Sequence, residues 1–275
     1  MWRYLFNPFV LGFFLPVFFY NSYAVVSGVK TMLSSNPKYT HLPKYRPLVI
    51  KIHKLMLALN PYYQKLGREG RERFISRLIY VLPQKKFVGK EGLDITIEKR
   101  IIVLSALVQL TFGLKSFTIR RFNQVILYPS TFFSKLIKRE VKGLTVGVGN
   151  VLLSWFDTYK GLHFPTDNLH LALHEWAHAF QLNHEMDEAG WIYSRLELHM
   201  RTFDGYYERI LKFKEEKNYL RDYAFTNVEE FFAVSIEHFF ETPEEFIKSE
   251  PELYAKMCKL LNQNPLNPTL NYKLR

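Results

Sequence analysis

The chain has 275 residues, 48% of them hydrophobic and 23% charged, with a formal net charge of +11. That composition supplies apolar surface for a sizeable core and excludes a disordered, collagen-like or linker-dominated protein. A single cysteine, Cys258, excludes an intrachain disulfide framework and any site needing several thiolates. Its apolar helical neighbours mark it as a buried structural thiol.

The basic excess sits at the start. Residues 1–60 hold Arg3, Lys30, Lys38, Lys44, Arg46, Lys51 and Lys54 and no acidic residue, so +7 of the +11 lies there. Beside an apolar stretch, that excess points to an anionic membrane rather than to nucleic acid. Further on, Arg68, Arg71, Arg73 and Arg77 alternate with Glu69 and Glu72 at helical spacing, the pattern of a solvated helix face. No nucleic-acid partner is expected.

Residues 1–30 form a hydrophobic segment with no charge between Arg3 and Lys30. They are read as a membrane anchor, with Pro8 and Pro16 tolerated and the positive residues after it placing the main domain on the cytoplasmic side. A signal peptide with a weak cleavage stretch, SYAVVSG, and an apolar arm of a soluble domain are competing readings. Residues 31–46, with Pro37 and Pro43, read as a linker, and 47–275 as the domain proper.

Within that domain, 47–59 and 68–82 are predicted amphipathic helices, the second stopped by Pro83. Residues 97–112 are a buried helix ended near Gly113. Phe122–Tyr128 is a predicted strand, and 144–155 supplies two short strands around a Gly147–Asn150 turn. A helix follows over 169–183, with Asp167 as its N-cap. Residues 191–217 are predicted helical, as are 227–240, starting at Asn227, and 250–262, after Pro251. The fold class is α+β, mostly helical with a small sheet.

Residues 174–178 spell HEWAH. Histidines at i and i+4 share a helix face where both rings can meet one zinc ion, and Glu175 can polarise a water beside it. The flanking Leu171, Leu173, Ala177 and Phe180 make an apolar setting that does not casually accept two histidines and a glutamate. A zinc hydrolase needs a third protein ligand and an open position. VEEFFAVSIEHFF offers Glu229, Glu230, Glu237 and His238; Glu230 and Glu237 share one face, and spacing alone leaves the choice between them open. His170 and His184 read as ordinary hydrogen-bonded histidines.

HEWAH, the segment YAFTNVEEFFAV from Tyr223 and the following SIEHFFETP resemble the Mlc titration factor A family of zinc-dependent peptidases, whose catalytic core is related to that of the anthrax lethal factor protease. Upstream, Phe87-Val-Gly, the strand ending Tyr128-Pro129 and VLLSW at 151–155 extend the resemblance over about residues 65–265. It implies a zincin-like domain holding one zinc on His174, His178 and Glu230, with Glu175 as general base. It further implies that Tyr223 donates to the oxyanion and that Glu237 supports the site from behind. The implied activity is hydrolysis of peptide bonds, in an aminopeptidase-like manner on short peptides. The alternative it implies is a regulatory protein that binds and sequesters a transcriptional regulator or another protein partner. Where family members commonly carry Leu-Asp after the motif, this chain has Phe180-Gln181, and Asp187 is the nearest carboxylate beyond.

Overall fold

Local sequence signals account for most helix boundaries in the protein, whose computed structural model describes residues 38–147, 149–185, 205–208 and 219–274. Helix α1 (Arg46–Leu59) and α2 (Arg68–Val81) bury one face each, with Ile52, Met56, Phe74 and Leu78 fully enclosed. Tyr39, in the expected linker, packs its ring 5.1 Å from Tyr45. Helix α3 (Ile97–Leu110) starts where Thr96 accepts a hydrogen bond from the Lys99 amide, and every residue from Ile101 to Leu110 is buried. A helix apolar all round belongs at the centre of a core.

Arg77 departs from the expected solvated face. Its side chain is buried and donates to the carbonyls of Thr111, Phe112 and Leu114, at and just beyond the end of α3. Carbonyls at a helix end lack intrahelical donors, and a guanidinium offers several at once.

Strand β1 (Lys86–Gly89) pairs in parallel with β2 (Gln124–Tyr128), and α3 is the crossover that a parallel pair requires. Strands β3 (Phe132–Ser134) and β4 (Arg139–Val141) form a separate antiparallel hairpin. Strand β5 (Gly143–Val146) turns back into β6 (Asn150–Ser154), which lies parallel to β2, so the main sheet runs β1-β2-β6-β5 with β5 at an edge. The turn between them needs glycine: Gly149 has φ +95°, and a Cβ there would strike the Arg121 carbonyl. The expected strands over 144–155 are present, but Trp155 opens helix α4 (Trp155–His163), capped by the Ser154 hydroxyl.

Helix α5 (Leu171–Glu185) carries HEWAH and packs on β5, β6, α3 and α6 (Val228–Glu241). Trp176 is fully buried and its Nε1 donates to the Val103 carbonyl at 3.0 Å, locking α5 to α3. Side chains of this size contribute about 2–3 kcal/mol each when buried. Asp167 does not cap α5. It accepts from the Leu169 amide, and the cap is His170, whose Nδ1 accepts from the Leu173 amide at 3.3 Å. Burial lowers the His170 pKa to about 4, so the ring stays neutral with a lone pair to accept. Asn227 caps α6 as expected, accepting from the Glu230 amide at 2.8 Å.

Helices α7 (Pro243–Ser249) and α8 (Pro251–Leu261) close the fold, and Cys258 is buried as expected. The architecture is α+β, rich in helix with a small mixed sheet. Of the helix expected over 191–217, residues 205–208 are described and helical, and the rest lies outside the described residues, as do Asp187 and the apolar segment 1–30. Among the described residues, no helix is long and apolar enough to cross a membrane.

Candidate metal centre

The i, i+4 spacing turns both motif histidines toward one point while Leu173, Trp176 and Ala177 go into the core. The Nε2 atoms of His174 and His178 lie 3.2 Å apart. Glu230, in the first turn of α6, brings Oε2 to 3.0 Å from the first and 3.4 Å from the second. Two ligands bonded at about 2.1 Å to one ion at the tetrahedral angle stand about 3.4 Å apart. The three atoms therefore trace one face of a tetrahedron of that size, and Glu230 Oε2 is buried there without a well-directed hydrogen bond. The residues fit a metal ion.

Glu237, two turns along α6, lies on the other side of His174 and places Oε2 3.1 Å from its Nδ1. A proton on Nδ1 donates to that carboxylate and leaves the Nε2 lone pair free for the shared point. The two carboxylates that spacing could not separate thus address opposite nitrogens of one ring. His238 is elsewhere: its ring packs 4.8 Å from that of Tyr219, with both nitrogens unpartnered. Glu229 is exposed at the edge of the cleft.

Glu175 is buried against β5, where the Thr145 hydroxyl donates to its Oε2 at 2.8 Å. Burial raises its pKa, while the positive charges of His178 and His174 pull the other way. Burial also acts against the Glu230 anion, yet the neighbouring His174 and His178 hold it far below the usual carboxylate range. Tyr223 sits in a 3-10 turn, Asp222–Phe225, with its ring 6.1 Å from that of His174. Burial and the neighbouring Glu230 carboxylate push its hydroxyl up to about 12, so it remains a donor.

All six residues open onto a cleft of about 580 Å³ between β5, the β3–β4 hairpin, α4, α5 and the turn carrying Tyr223. Gln181 lines it one turn beyond His178. Three lining residues escaped sequence reading: Thr145, Gly143 and Arg221. Each acts through a partner at least 16 positions away, and no local pattern records such pairings.

Two imidazoles and a carboxylate converging from two helices, on an α+β scaffold with a further carboxylate beside them, define a protein equipped to hold a single metal ion at the floor of a cleft. The sequence model of the family described as glucose-regulated metallo-peptidase M90 matches residues 38–261, and the chain belongs to that family. The match begins well before residue 65, taking in α1 and the end of the expected linker. A protein named Mlc titration factor A from Yersinia enterocolitica is 28% identical over 234 aligned residues, covering 76% of this chain and 85% of the relative. Proteins of the same name from Yersinia pestis and Yersinia pseudotuberculosis are 27% identical, covering 76% of this chain and 84% of theirs. The family resemblance carried by the motifs holds.

Proposed function

We propose that the chain is a zinc-dependent peptidase with a zincin-like domain, in which His174, His178 and Glu230 hold the ion. The observation that carries this reading is the convergence of two Nε2 atoms and Glu230 Oε2 to within 3.4 Å of one another, beside the buried Glu175. Bound there, zinc would polarise a water and a substrate carbonyl.

The chain's own groups carry the proton traffic. Glu175, aimed by Thr145 and with its pKa raised by burial, takes a proton from the attacking water and delivers it to the leaving amine. Tyr223 keeps its proton through the neutral range and donates to the oxygen that becomes negative as the carbonyl is attacked. Glu237 holds His174 in the tautomer that offers Nε2.

The substrate is read as a short extended peptide. Among the described residues the outer edge of β5 has no pairing strand, and Leu144 and Thr145 on it line the cleft, so a peptide can add there by backbone hydrogen bonds. Aminopeptidase-like action is the finer reading, and paired substrates with free and acetylated N-termini test it. Zinc content together with cleavage of a mixed peptide pool tests the whole: about one zinc per chain, lost with cleavage in Glu230→Ala, is expected. A folded, metal-replete chain without zinc overturns the reading.

The relatives' name favours a second reading, in which a protein partner is titrated by a surface outside the cleft. Partner capture that survives Glu175→Gln would favour it over turnover.

A further inference from the structure

Arg221 lies on no helix or strand, yet its side chain joins three separate parts of the cleft. One terminal nitrogen, Nη2, donates to Glu237 Oε2, the same oxygen that faces His174 Nδ1 at 3.1 Å. The other, Nη1, donates to the Asn168 carbonyl, in the loop that leads into α5. Asn168 has φ +57°, and its side chain is tied to the Thr242 hydroxyl at 2.8 Å, so the carbonyl is presented by a braced loop. The Arg221 backbone is engaged as well: it precedes the 3-10 turn carrying Tyr223, and its carbonyl accepts from the Ala224 amide at 2.9 Å.

We propose that Arg221 is a positioning residue that aligns His174 through Glu237 and docks the Tyr223 turn against the metal-binding helix. The inference rests on the zinc reading above. A planar guanidinium can hold a carboxylate and a carbonyl together in fixed directions, whereas an ammonium is a single point charge. Glu237 is only 2% exposed, and a carboxylate that deep is costly without a cation. An imidazole that gives Nε2 to a metal carries no net charge. Nearby Glu241 brings no positive charge in relief. Among the described residues, the compensating charge in contact with Glu237 is then that of Arg221. Of the two terminal nitrogens, Nη2 acts on the ligand and Nη1 on the entry to the helix that bears it, so losing the side chain loosens both at once.

The test measures zinc affinity of the full chain by competition with a chromophoric chelator, for wild type, Arg221→Lys, Arg221→Ala, Glu237→Gln and the Arg221→Ala/Glu237→Gln pair. Steady-state kinetics on a cleaved peptide are run alongside. Arg221→Ala is expected to weaken zinc binding about 10–100-fold and to lower kcat more than it changes KM. Arg221→Lys should recover part of the affinity, and Arg221→Ala should add little to Glu237→Gln, because both cut the same path. Zinc affinity within twofold of wild type in a folded Arg221→Ala chain overturns the proposal, as do additive losses in the double variant. Should Arg221→Ala fail to fold, Arg221→Lys decides: wild-type affinity and wild-type kcat overturn the proposal, and a partial loss of both supports it. A wild-type chain without zinc overturns the peptidase reading and this inference with it, whereas equal zinc affinity in all variants overturns this inference alone.

Discussion

Gly143 lies flush against the side chain of Glu175: a Cβ built on residue 143 would overlap the Glu175 carboxylate and its Cγ. Two residues along the same strand, Thr145 donates to that carboxylate. Strand β5 therefore both clears the space for Glu175 and aims it. The atoms in the way of a larger residue are the end of one side chain, so Gly143→Ala should displace Glu175 without unfolding the protein. We expect kcat/KM to fall about 10–100-fold, a stability change within about 1 kcal/mol and unchanged zinc content. Wild-type turnover in this variant, measured by steady-state kinetics, would show that Glu175 is not used in the geometry described.

The proposed base and donor can be separated from the proposed ligands. Glu175→Gln should lower kcat by about 10²–10⁴-fold, and Tyr223→Phe by about 10²–10³-fold. Neither should release zinc, because neither residue belongs to the trio that meets at Nε2 and Oε2. Hydrolysis persisting in zinc-loaded Glu175→Gln removes that residue from the role of base.

On the proposed zinc reading, the ion and a proton would compete for His174. Burial alone would lower its pKa, but the Glu237, Glu230 and Glu175 carboxylates outweigh it and raise the ring from 6.5 to about 10. The metal-free protein thus holds a proton at neutral pH that a ligand nitrogen must lose. Calorimetry in buffers of different ionisation enthalpy at pH 8 should find about one proton released per zinc, with affinity climbing as pH rises toward 10. The apo protein should show the opposite trend in stability. A pKa raised on folding contributes most below 6.5, and that contribution is lost as pH rises through about 10. Zinc binding with no proton release at pH 8 contradicts this account.

Glu241, at the end of α6, is a local weakness. Burial first, then Glu237 and Asp167, push its carboxyl up to about 9, with the Asn168 and Leu169 amides opposing. The folded state therefore prefers the neutral acid. The contribution is full below the ordinary carboxylate value of 4.5 and is lost as pH rises toward 9. Glu241→Gln should stabilise the chain by about 1–3 kcal/mol near neutral pH, and the gain should grow between pH 5 and 9. Denaturant titrations at several pH values check this, and a gain independent of pH would contradict the assignment.

Features that one stretch of chain controls were legible in the residues alone. HEWAH put two imidazoles on one face because a helix repeats every 3.6 residues. Asn227 started α6, and the apolar run over 97–112 made a central helix, because capping and hydrophobic periodicity act over a few residues. The strand over 122–128 was legible for its apolar content, but β1 and the β3–β4 hairpin are three or four residues each and exist through their pairing partners.

The rest of the site depends on how distant segments pack together. Glu230 and Glu237 share one face of α6, and only the placement of α5 across from it sends the first to Nε2 and the second to Nδ1. Asp167 had the composition of an N-cap, but α5 starts later, where the buried, neutral His170 can accept the amide. Arg77 and Arg221 look alike in sequence, as basic residues near acidic ones. Packing buries one against the carbonyls at the end of α3 and stretches the other between Glu237 and Asn168. A hydrogen bond is specified by distance and direction between two groups, and for partners far apart in the chain only the fold supplies either.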